Sequence, residues 1–80
     1  MEKRMTPENA DEYLIVIEGE ERSYGAYAPD LPGCVAFAET VEECERLMRE
    51  AIVFHLEGMR EGGDPIPAPT IAAAAFVPAA

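Results

Sequence analysis

The stretch that most constrains this 80-residue chain runs from Thr40 to Pro65, because it spells out a helix with both ends marked. Thr40-Val41-Glu42-Glu43 is a capping box. The threonine hydroxyl accepts from N–H groups of the first turn, and the glutamate three residues on reaches back. Glu42 and Glu43 also suit the positive end of the helix dipole. Val41, Cys44, Met48, Ile52, His55 and Met59 then recur at steps of three or four, with Leu47 and Ala51 widening the stripe. Glu42, Glu45, Arg46, Arg49, Glu50, Glu57 and Arg60 fall on the opposite face. Gly62-Gly63 ends the helix, and Pro65 blocks its continuation. A lone amphipathic helix must bury its stripe against something, so the flanking segments have to supply a facing layer.

They read as strands. Tyr13 to Glu18 is rich in β-branched and aromatic residues and apolar on both faces, which predicts a strand that is central or covered on both sides. After a polar turn over 19–23, Tyr24 to Ala28 predicts an antiparallel partner, and Gly25 within it allows a close approach by another group. Pro29 to Gly33 is a rigid turn, with Pro32 and Gly33 suited to the two central positions of a type II turn. Cys34 to Glu39 predicts a third strand. Beyond the helix, 64–69 is a stiff proline-rich connector. Thr70 to Val77 predicts a short fourth strand, pairing either within the domain or across to a second subunit. The expected fold class is therefore α+β, in the order β-β-β-α-β: an antiparallel three-stranded meander, one amphipathic helix and a short C-terminal strand. Residues 1–12 form a polar N-terminal arm, and 13–80 a single domain.

Charge narrows the function. Sixteen acids against six bases give a net charge of -10, and the bases Lys3, Arg4, Arg22, Arg46, Arg49 and Arg60 form no stripe. Such a chain repels nucleic acid and attracts basic protein partners. The plainer alternative is that the charge serves solubility alone. Eighty residues lie near the lower limit for a single stable core, and a hydrophobic content of 49% without a disulfide framework predicts a homo-oligomer, a dimer or tetramer. Cys34 and Cys44 match no zinc spacing and read as small core residues. No apolar run is long enough for a membrane span, and the polar start carries no signal peptide, which makes the cytoplasm the expected location.

Catalytic groups are hard to assemble. His55, the single histidine, falls on the apolar stripe and reads as a packed residue. Ser23, the single serine, sits in a turn without a base beside it. Asp30, Glu39 and Glu43 are acids at strand ends and at the helix start, the kind of set a metal-dependent nuclease would need, but a polyanionic substrate is opposed by the charge. The expectation is no catalytic residue, no cofactor and no metal. Tyr24 and Tyr27 fall on opposite faces of one strand, so one of them is a candidate contact residue.

Several runs follow one another in a recognisable order: Tyr13 to Glu18, Tyr27-Ala28-Pro29-Asp30-Leu31-Pro32-Gly33-Cys34, Glu39-Thr40-Val41-Glu42-Glu43-Cys44, Glu50-Ala51-Ile52 and Ile66-Pro67-Ala68-Pro69. Together they resemble the HicB antitoxin family of bacterial toxin–antitoxin systems. The resemblance implies a partial ribonuclease H-like fold without nuclease activity. It also implies a partner, a small basic RNA-cleaving HicA-type toxin whose RNA surface the antitoxin would cover. Partner contacts are then expected at Asp30, Leu31, Pro32, Gly33, Glu39, Glu42 and Glu43. Members of the family often add a C-terminal DNA-binding module. This sequence ends at Ala80, soon after the last expected strand, so no direct contact with nucleic acid is expected. It also has Ala38-Glu39 where relatives tend to have a glycine and a polar residue, and Cys44 where they usually have alanine. The competing readings are a ribonuclease H-like, metal-dependent nuclease using Asp30, Glu39 and Glu43, and a solitary regulatory domain lacking a toxin.

Overall fold

A computed structural model describes residues 12–79 and, as backbone, residues 3–5. The elements are β1 (Lys3–Met5), β2 (Val16–Glu20), β3 (Ser23–Tyr27), β4 (Val35–Ala38), α1 (Val41–Glu61) and β5 (Ala74–Phe76). β2, β3 and β4 form an antiparallel meander in that order, the helix follows, and a short C-terminal strand ends the chain: the α+β arrangement the sequence predicts.

The register sorts the sheet residues onto two faces. Ile17, Ala26 and Ala36 lie opposite one another and point the same way, as do Tyr24 and Ala38. This face packs under α1, whose Cys44, Met48 and Ile52 are buried against it. Alanines on the sheet let the helix sit close, and the flexible Met48 side chain, fully buried, fills the gap between the layers. Ala28, Leu31 and Cys34 close one end of this core.

Both helix ends take the form their sequence signals. Glu43 N–H donates to Thr40 Oγ1 at 3.1 Å, which is one of the two bonds a capping box implies. At the other end Asp64 N–H bonds Met59 O at 2.8 Å and Gly63 N–H bonds Arg60 O at 3.2 Å, with Gly63 at φ 74°. That pair of bonds is a Schellman motif, and a glycine meets its positive φ without strain.

Two expectations need correction. The first strand is neither central nor covered on both sides. It begins at Val16 and lies at the sheet edge, because β3 pairs on both its flanks. The first hairpin is tighter than the polar run suggests. β2 extends to Glu20 and β3 starts at Ser23, leaving a two-residue turn in which Glu21 and Arg22 adopt φ 50° and 68°. Positive φ at both central residues defines a type I′ turn, which matches the strand twist but lacks its usual Asn-Gly sequence. The short C-terminal strand forms as β5, apart from the meander. It pairs antiparallel with β1, inside what reads as a polar arm, and among the elements these two strands contact only each other. The resulting ribbon and its connector stretch the molecule. The radius of gyration is 13.9 Å, against about 12 Å for a compact chain of this length.

Candidate protein-binding site

Pro29 to Gly33 folds as two successive turns. Leu31 N–H bonds Ala28 O at 3.0 Å, and Cys34 N–H bonds Leu31 O at 3.2 Å. In the second turn Gly33 has φ 86°, which gives Pro32 and Gly33 the type II positions the sequence predicts. The double turn drives the Leu31 side chain inward, to 1% exposure. Leu31 is therefore a packing residue, and its expected role as a contact does not fit its position. Pro32 and Gly33 stay exposed.

Asp30 faces the C-terminal connector. Its carboxylate accepts from Thr70 N–H at 2.8 Å and from the Thr70 hydroxyl. The Thr70 hydroxyl above all, and then the Thr70 backbone, hold the Asp30 carboxyl below its ordinary pKa. A second tie is the Tyr13 hydroxyl, which donates to Pro67 O. The connector is thus clasped at two points, and Asp30 spends its acceptors within the chain.

Glu39 pairs with Arg22 at 2.7 Å across the sheet end, with both side chains exposed. Glu42 and Glu43 are exposed in the first helical turn. The expected contact residues consequently fall into two groups. Asp30 to Gly33 lie at one end of β4 and Glu39, Glu42 and Glu43 at the other, with the strand Val35–Ala38 between them. Nor do Asp30, Glu39 and Glu43 form a cluster. Among the described residues no group of three His, Cys, Asp or Glu side chains could hold a metal ion. His55 is half-buried, as the stripe implies.

The surface missed by motif reading is the outer sheet face. Val16, Tyr27 and Val35 form one cross-strand row there, and Glu18, Gly25 and Phe37 the next. Tyr27, Val35 and Phe37 are 40%, 50% and 74% exposed. Among the described residues nothing covers them as the helix covers the other face. The signal was present in Val35-Ala36-Phe37-Ala38, where large and small residues alternate, but the alanines face the core and the large side chains face out. Val53 and Phe54 are likewise exposed on the helix, where they line a shallow open depression with Arg49, Glu50 and Glu57. Among the described residues no polar or charged side chain is buried, so the acidic charge is carried at the surface.

Fold and surface define a small acidic α+β domain that presents carboxylates and large apolar groups outward. Residues 13–77 match the family described as "HicB_like antitoxin of bacterial toxin-antitoxin system", and the chain belongs to that family. A relative of Haemophilus phage HP1, described as an uncharacterized 14.9 kDa protein in the rep-hol intergenic region, is 40% identical over 55 residues. That match covers 69% of this chain and 41% of the relative, so the chain spans well under half of it. No solved structure gives a significant match. No helix among the described residues is long and apolar enough to cross a membrane.

Proposed function

We propose that this chain is the antitoxin of a toxin–antitoxin pair, and that it binds and neutralises a small basic RNA-cleaving toxin of the HicA type. The observation that carries the antitoxin role is the family match over residues 13–77. The basic character of the partner is supported by the net charge of -10 and by its surface location. Carboxylates can occupy the places that RNA phosphates would take on a basic surface, and charge complementarity speeds encounter. Neutralisation is by occlusion, without catalysis, cofactor or metal, in the cytoplasm. Self-association to a dimer or tetramer belongs to the same reading, supported by the number of large apolar side chains exposed on so small a domain.

Co-purification tests it. The tagged chain is expected to retain the small basic protein encoded beside it at low salt, and to lose it as salt is raised. No complex at low salt would count against the assignment. A sedimentation run on the chain alone reads its oligomeric state.

A further inference from the structure

Resting on the reading of a basic partner, we infer that the partner docks on the outer face of the three-stranded sheet, around Phe37. The face has a built centre. A Cβ placed on Gly25 would lie 3.1 Å and 3.2 Å from two carbons of the Phe37 ring, so the ring leans over the glycine as an exposed plate. Tyr27 and Val35, in the neighbouring row, continue the plate towards one end. Large rigid aromatics with polar surroundings are the usual anchors of protein interfaces.

The rim says which occupant fits. Glu18 lies in the Phe37 row and Glu20 pairs with Ser23 in the row beyond it. Both are exposed, and neither makes an ion pair among the described residues. Arg22, the base at this end, is already joined to Glu39. The arginines of the helix are elsewhere, Arg46 and Arg49 in i,i+4 pairs with Glu50 and Glu45. A second copy of this chain, itself strongly acidic, would set carboxylates against Glu18 and Glu20 and offer near them, among the described residues of the sheet, only Arg22, which is paired with Glu39. A partner with an apolar centre edged by lysine or arginine satisfies both parts of the face. A standard interface takes roughly 800 Å2 from each partner, more than three strands of four or five residues present, so the contact extends from the apolar centre onto its acidic rim.

The experiment measures binding of the co-purified basic partner to wild type and to four variants, with sedimentation of each variant alone. Phe37→Ser is expected to weaken binding roughly tenfold or more, mainly by faster dissociation. Gly25→Ala displaces the ring and is expected to weaken binding less. Glu18→Lys with Glu20→Lys is expected to slow association and flatten the salt dependence. Phe54→Ser, on the helix, is the control and is expected to bind as wild type does. If wild type binds and the sheet variants bind equally well, the docking face is wrong and the antitoxin reading stands. Loss of binding in Phe54→Ser alone also overturns it, in favour of the helix. If Phe37→Ser instead dissociates a self-associated chain and spares the partner, the face holds a second copy and the inference fails. A wild type that binds no basic partner removes the reading beneath it.

Discussion

Asp30 shows how a single carboxylate can look like a contact residue and serve as a clasp. It belongs to an exposed turn in the sequence, but the connector returns to it and Thr70 takes up both oxygens. Asp30→Asn keeps the shape and removes the charge that strengthens these bonds. The expected result is faster amide exchange at Thr70 and along 64–73, with the α1 amides unchanged. The pH dependence follows from the lowered folded pKa. Stability from this group is fully present above the ordinary carboxylate pKa and is lost progressively as pH falls from there through the lowered folded value. The Thr70 amide shift is therefore expected to move below the ordinary carboxylate pKa and not at it. Leu31, one residue on, makes the opposite point: truncation to alanine is expected to cost about 2–5 kcal/mol in urea unfolding, as for other fully buried leucines. Burial also pushes the Cys34 thiol up, and Cys44 is fully buried beside it in the core. Thiol reagents are expected to label neither in the native protein at neutral pH, and rapid native labelling would contradict this packing.

At the level of elements, legibility tracked how local the determinants are. The helix was readable to within a residue because Thr40, Glu43 and Gly63 act on neighbouring backbone. The double turn was readable because Pro32 and Gly33 restrict their own dihedrals. The β2–β3 turn was not, since Glu21 and Arg22 carry no preference for positive φ and are held there by the register of the flanking strands. Replacing Glu21→Asn with Arg22→Gly is accordingly expected to stabilise the fold by about 1 kcal/mol, read as a higher urea midpoint at unchanged slope. The Arg22–Glu39 pair lost in the process is exposed on both sides and worth little. The partner of β5 was equally illegible, because Ala74 to Phe76 can pair with any free edge and nothing local selects β1. An isolated two-stranded ribbon is marginal in water, so its amides are expected to exchange well before those of β3 and α1.

On the scale of the molecule, the order of the motifs carried the family and composition carried the proposed sign of the partner, while the proposed place of contact needed the register. The expected contacts were chosen as exposed turn and cap residues, and the fold separates them to the two ends of β4. The apolar plate between those ends was hidden because alternation in a strand says which residues share a face and not which face is buried. Charge then acts over the whole surface rather than through one pair, so partner affinity is expected to fall steeply with ionic strength. The most direct test of neutralisation is to titrate the purified chain into an RNA-cleavage reaction run by the proposed small basic toxin. The account predicts that cleavage stops at a fixed stoichiometry near the equivalence point of the complex. Cleavage that continues undiminished at a large excess of this chain would contradict it.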